Sequence, residues 1–268
     1  MTTRLPFTAY LEHLRRDSAR FVDVLARTDP EAPVPSCPEW TAADLLHHLT
    51  EVQWFWATVV SHRLTAGEQV EALEGPQRAQ SYPAMIETMR AASATLVTAL
   101  AAAPPQTPTW TWAPEQTAGF VCRRQAHEAL IHRVDAELAG LAHTALDPAL
   151  AADGVDEVLR VMYGGCPPWG TITPKANGLV RIRAADTGSS WVVTSARFTG
   201  TDPKGTVHDE AGVHVANDDG RPVHATIEGT AAALDCWLWH RPTDEQPAMD
   251  GDPDLLGRLQ EVLNQPVN

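Results

Sequence analysis

One carboxylate and two imidazoles in this chain are spaced for joint chemistry. Glu128 and His132 lie four residues apart in Arg123-Arg-Gln-Ala-His-Glu-Ala-Leu-Ile-His-Arg-Val-Asp. As a helix, this run carries both side chains on one face, about 5–6 Å apart. A carboxylate and an imidazole at that spacing can share a divalent metal, and both suit zinc; the same spacing also serves an ordinary surface pair. The run resembles a zinc-protease helix but is one residue too long. His127 and His132 are five apart and diverge by more than a third of a turn, so they cannot chelate together and the metalloprotease reading fails.

A third donor comes from Thr41-Ala-Ala-Asp-Leu-Leu-His-His-Leu-Thr-Glu-Val-Gln-Trp-Phe-Trp. There Leu45, Leu49, Val52 and Trp56 form a narrow apolar stripe, with His48 at one edge and His47 almost opposite. An imidazole beside a core stripe must satisfy its nitrogens, either by a hydrogen bond inside the protein or by a metal. His48, Glu128 and His132 together would supply three ligands from two helices and leave a coordination position open, as catalytic zinc sites do. Asp135 and Arg124 fall on the same flank, where they can orient the ligands or remain solvated.

The elements that must position these residues are helices in the first half of the chain. Phe7, Leu11, Leu14, Phe21 and Leu25 recur at helical spacing, and the Pro-rich stretch 29–38 ends that helix. A second helix starts at Thr41, with Asp44 three residues on as a short capping box, and runs to 62. A third covers 82–102 and stops at Pro104, Pro105 and Pro108. A fourth covers 117–141. Four such helices predict a bundle. After Asp147 the pattern changes: a helix at 148–162, strand-like runs at 178–184, 190–195, 212–216 and 223–227, a helix at 230–239 and a last one from Asp252. The expected fold class is therefore α+β, with a helical bundle over residues 1–147 and a small α+β domain over 148–268.

The chain has 268 residues and a formal charge of −14, with 34 acidic residues against 20 basic ones. Such a balance argues against nucleic acid and anionic membranes as partners and is an ordinary source of solubility. No apolar run reaches the roughly 18 residues that a membrane span requires, and no secretory h-region follows Met1, so a cytoplasmic location is expected. Cys37, Cys122, Cys166 and Cys236 are scattered, which argues against a disulfide framework or a redox pair. Any thiol chemistry should use a thiol that arrives as a ligand.

The segment Cys37-Pro-Glu-Trp-Thr-Ala-Ala-Asp-Leu-Leu-His-His-Leu resembles the first metal-bearing block of the mycothiol-dependent maleylpyruvate isomerase family. Arg124-Gln-Ala-His-Glu-Ala-Leu-Ile-His-Arg-Val-Asp-Ala-Glu is similar to the second. The resemblance implies metal ligation by His48, Glu128 and His132, a DinB-like four-helix bundle, and a C-terminal α+β domain like sterol carrier protein. Looser matches are Ala185-Asp186-Thr187-Gly188 with Trp191, Glu228-Gly229-Thr230-Ala231-Ala232, Leu238-Trp239-His240-Arg241 and Gly251-Asp252-Pro253. The resemblance further implies arginines that hold a dicarboxylate. Arg241 is the counterpart of one, with His240-Arg241 where relatives have Gly-Arg. Arg78 is the other, in surroundings that depart from the family pattern.

The function so implied is a zinc- and mycothiol-dependent isomerase acting on an electrophilic unsaturated acid such as maleylpyruvate. Its cofactors would be a divalent metal, zinc, and mycothiol as thiol cosubstrate; its partners would be that thiol and a small-molecule electrophile. Two rivals stand beside it. One is a mycothiol S-transferase that keeps the thiol adduct. The other is a non-catalytic binding protein with a pocket lined by Trp54, Phe55, Trp56, Trp110 and Trp112, rings whose helical spacing also suits core packing. Metal content separates the enzyme readings from the last, and mycothiol-dependent turnover separates isomerase from transferase.

Overall fold

A computed structural model describes residues 4–265 and divides the chain into two compact units, Leu5–Ala145 and the part from Leu146 onward. In the first, α1 (Phe7–Leu25) leads to a short antiparallel hairpin, β1 (Pro33–Val34) and β2 (Cys37–Thr41). Helix α2 (Ala42–Ser61), one-turn α3 (Gly67–Glu71), α4 (Tyr82–Ala102) and α5 (Ala118–Ala139) follow. The long helices form a bundle in which α1 packs on α5 and α4, while α2 packs on α4 and α5. Phe21, Leu25, Leu45, Leu46, Leu49 and Met89 are fully buried in one cluster, which also takes Val34 from the hairpin.

Side-chain caps fix where these helices begin. Thr41 and Asp44 form the reciprocal box: Asp44 N–H donates to Thr41 Oγ1 (3.2 Å) and Thr41 N–H donates to Asp44 Oδ2 (3.0 Å). Ser81 caps α4 with Pro83 in its first turn, and Thr117 caps α5 by accepting from Phe120 N–H. Helix α5 is buried along most of its length, charges included. Unpaired, such charges would cost several kcal/mol each. Arg20 Nε donates to Glu137 Oε1 at 2.7 Å, and Arg133 lies 3.5 Å from Asp17. Burial pushes the Asp17 carboxyl up against the pull of Arg133.

The second unit begins with α6 (Pro148–Glu157), which continues into one π-helical turn, Val158–Met162. Its strands are β3 (Gly170–Pro174), β4 (Val180–Ala184), β5 (Ser190–Thr201), β6 (Val207–Ala216), β7 (Ala225–Gly229) and β8 (Ala248–Gly251); α7 (Ala231–Leu238) and α8 (Pro253–Leu263) complete it. Strand β5 pairs with β6 along one edge and with β4 and β3 along the other. Strand β4 then runs parallel to β7, and β7 antiparallel to β8. Asp147-Pro148 and Asp252-Pro253 start α6 and α8 in the same way, with the Asp carboxylate capping and proline in the first turn.

The α+β class is as expected, with differences in detail. The stretch 29–38 does more than end α1: it holds β1 and the start of β2, strands too short to show a period. The helix expected over 148–162 changes to π geometry at Val158. Strands β5 and β6 extend further than 190–195 and 212–216, because their far halves have exposed or half-exposed faces and carry no apolar alternation. Strands β3 and β8, largely exposed, were not expected for the same reason. Among the described residues no helix is long and apolar enough to cross a membrane.

Candidate metal centre

His48 sits in the second turn of α2, one turn after the Thr41–Asp44 box that sets the helix start. Glu128 and His132 sit one turn apart on α5. Packing of α2 on α5 brings the three side chains together: one ligand atom from each lies within 4.8 Å of the others. The shared point is Glu128 Oε1, 3.1 Å from His132 Nε2 and 3.7 Å from His48 Nε2. The two imidazole rings have centroids 4.9 Å apart and meet edge to face.

Each ligand is held from behind. Arg124, one turn before Glu128 and almost fully buried, donates to Glu128 Oε2 at 2.6 Å. That leaves Oε1 as the carboxylate oxygen facing the imidazoles. His132 Nδ1 donates to Asp135 Oδ2 at 2.9 Å, so a neutral His132 presents the lone pair of Nε2. The hairpin turn supplies the next link, with Ser36 Oγ donating to Asp135 Oδ1 at 2.5 Å. Trp40, at the end of the hairpin, lies against His48 with ring centroids 4.8 Å apart, and 6.5 Å from His132.

The electrostatics match a cation-seeking cluster. Burial pushes the Glu128 carboxyl up, but Arg124 and the two imidazoles outweigh it and hold the group well below the usual carboxylate range. Burial opposes charge on His132, yet its bonds to Asp135 and Glu128 raise it to about 9. Without metal, then, a proton on His132 bridges to Glu128. An ionised carboxylate oxygen and two Nε2 atoms form the N,O,N donor set that zinc and similar divalent ions accept, with Glu128 Oε2 and His132 Nδ1 already committed to Arg124 and Asp135.

The other histidines on these helices stand apart. His47 pairs with Glu51 across one turn of α2 at 3.6 Å, and the His127 ring faces Tyr10 of α1. Arg78 donates to Asp44 Oδ1 at 2.7 Å, reaching α2 one turn before His48, and its side chain is half exposed. Arg241 belongs to the second unit, just past α7, where it is partly exposed and donates to Trp239 O at 2.6 Å. No local spacing marks Ser36 or Trp40 as part of the site. Only the hairpin, too short to leave a pattern, brings the two to the site.

Fold and site define a helix-bundle protein carrying a His–Glu–His cluster, joined to an α+β unit. Residues 11–137 match the family model described as the mycothiol maleylpyruvate isomerase N-terminal domain, and residues 149–258 match that of the MDMPI C-terminal domain. The chain belongs to the mycothiol-dependent maleylpyruvate isomerase family. Two solved structures share its fold. A crystal structure of a His-to-Ala variant of the mycothiol-dependent maleylpyruvate isomerase is 14% identical, with a TM-score of 0.56. A crystal structure of the isomerase without that substitution is 16% identical, with a TM-score of 0.51. In each case the match covers 92% of this chain and 95% of the other. No curated protein sequence matches the chain.

Proposed function

We propose that this protein is a mycothiol-dependent metalloenzyme that isomerises an electrophilic unsaturated acid of the maleylpyruvate type. Its metal site would lie in the bundle domain (residues 1–147), which the α+β domain (148–268) follows in the chain. The observation that carries the proposal is Glu128 Oε1 facing two Nε2 atoms while Arg124 occupies the other carboxylate oxygen. His48, Glu128 and His132 would hold the metal, with zinc favoured by the N,O,N donor set. When bound, it would supply Lewis acidity that lowers the pKa of a thiol near it.

The chain's own residues do the positioning. Asp135 fixes the His132 ring so that Nε2 turns toward the cluster, and Arg124 orients the Glu128 carboxylate. Trp40 covers one side of His48 and keeps water from that flank. Arg78 and Arg241 are the proposed anchors for the substrate's carboxylates, a role suited to planar guanidinium groups. Addition of the thiol to the unsaturated acid, rotation and elimination would complete a cis–trans isomerisation and return the thiol. Membership of a family named for this isomerase favours it over a thiol S-transferase. A cytoplasmic location, where a low-molecular-weight thiol is available reduced, belongs to the same proposal.

The test is metal analysis of the purified protein, followed by maleylpyruvate turnover with and without mycothiol. Stoichiometric metal and strictly thiol-dependent isomerisation are expected. Thiol consumption in step with product would turn the proposal to the transferase, and a metal-free protein without thiol-dependent activity would end it.

A further inference from the structure

The second unit contains a concavity of about 520 Å³, well within the range of small-ligand sites. Leu179, Thr194 of β5, and His214 and Ala216 of β6 line it, and Pro174 at the end of β3 and loops 175–178 and 221–224 border it. Both loops are pinned. Lys175 N–H donates to Ser195 O at 2.8 Å, and the buried Thr194 hydroxyl reaches Lys175 O (3.0 Å) and Asn177 Oδ1 (3.1 Å). His224 exchanges hydrogen bonds with Leu179: its N–H donates to Leu179 O (2.9 Å), and its ring Nδ1 accepts from Leu179 N–H (3.1 Å). Gly178 makes the close approach possible. Its φ is +114°, and a Cβ there would fall 2.8 Å from a Leu255 methyl.

The polar lining consists mainly of nitrogen donors. Lys175, Arg221, His214 and His224 all line the concavity, and among the described residues no carboxylate side chain does. Lys175 is one of only two lysines in a chain of net charge −14 and has no ion-pair partner among the described residues. Arg221 gives its Nε to Asp219 at 2.9 Å, and no bond from its terminal nitrogens appears among the described residues. Because His224 Nδ1 accepts a backbone N–H, the ring proton sits on Nε2, the polar atom left to serve the cavity. A protonated Nε2 cannot ligate a metal, but it can donate to an anion.

We propose that this pocket binds a small organic carboxylate. Lys175, Arg221 and the Nε2–H of His224 would take its anionic end, and Leu179, Ala216 and Pro222 its apolar body. The site is separate from the anchoring role given to Arg241. Strand β7 (Ala225–Gly229) leads away from His224 to α7, and Arg241 follows that helix. The inference stands whether or not the bundle holds a metal.

The experiment is a titration of the ¹⁵N-labelled full chain with sodium benzoate, in parallel with inorganic phosphate as a charge without an apolar body. Backbone amides of Gly178, Leu179, Thr194 and Ala216 should shift saturably with benzoate, and phosphate should displace it only weakly. The exposed substitution Lys175→Glu should weaken benzoate by about tenfold, since it replaces an attraction with a repulsion at short range, and should leave the spectrum otherwise unchanged. Equal binding of phosphate and benzoate would overturn the organic-ligand part. Amides that do not move, or a K175E chain that binds benzoate as the wild type does, would overturn the site.

Discussion

Arg124 and Glu128, one turn apart on α5, are joined by a 2.6 Å bond that uses one carboxylate oxygen and leaves the other facing His48 and His132. The pairing keeps Glu128 ionised in a partly buried place and sets which oxygen is offered to a cation. A helix flank that sequence alone leaves open to solvent is therefore organised around a point. Changing His132 to Ala, or Glu128 to Gln, should abolish stoichiometric metal binding while helix content by circular dichroism stays near wild type. Wild-type metal content in either variant would rule out these ligands.

Much of this arrangement was legible in the chain. The four-residue spacing of Glu128 and His132 needs only helical geometry, and the apolar stripe of α2 put His48, not His47, at its edge. The capping signals at Thr41 and Asp44 set the register of that helix. What the sequence hid lies in short or exposed elements. Ser36 and Trp40 approach the cluster from a hairpin of two- and five-residue strands, too brief for a period of two to be seen. Arg78 is bound to Asp44, a long-range pairing that no local pattern encodes. Strands β3 and β8 face solvent and carry no alternation.

The Ser36–Asp135–His132 chain yields a second prediction. Asp135 is fully buried and holds His132 Nδ1, and Ser36 holds Asp135 in turn. Replacing a group that orients a metal-binding histidine usually costs 10–100-fold in metal affinity. Asp135→Asn should fall in that range, while Ser36→Ala should lie at or below its lower end and Ser36→Thr should stay close to wild type. Competition against a chromophoric chelator measures all three. Identical affinities throughout would leave the chain of bonds with a purely structural part.

Acid stability should report on the α2 cap. Bonds from the Thr41 hydroxyl and backbone, followed by the Arg78 guanidinium, lower Asp44 from 3.8 to about 2. A folded-state pKa below the unfolded one gives stability that is present above the unfolded value and is lost as pH falls through the folded one. The Asp44 contribution should therefore be complete above pH 4 and disappear between about 4 and 2. Thermal melts of wild type and Asp44→Asn should differ above pH 4 and converge toward pH 2. A difference that persists at pH 2 would point to the cap hydrogen bonds rather than to charge.

The last prediction concerns where reactive sulfur comes from. Cys122 lies on α5 six residues before Glu128, a spacing that falls 120° short of two full turns. Its thiol is buried, 4.0 Å from Phe7 O at the start of α1, and burial pushes it up to about 12. A thiol so protonated at neutral pH is a poor nucleophile. Cys236 is buried in α7, and Cys37 and Cys166 are partly buried and form no disulfide. None of the four belongs to the His48–Glu128–His132 cluster. A chain with all four cysteines changed to Ala or Ser, provided that it folds, should keep its mycothiol-dependent activity within a few-fold. Chelation of the wild type should remove that activity, yet it should leave the bundle folded, because buried residues such as Phe21, Leu45, Leu49 and Met89 hold the helices together independently of any ion. Circular dichroism beside the activity assay reads both halves. Loss of activity on replacing one cysteine, with metal and helix content intact, would replace an external thiol by a protein nucleophile.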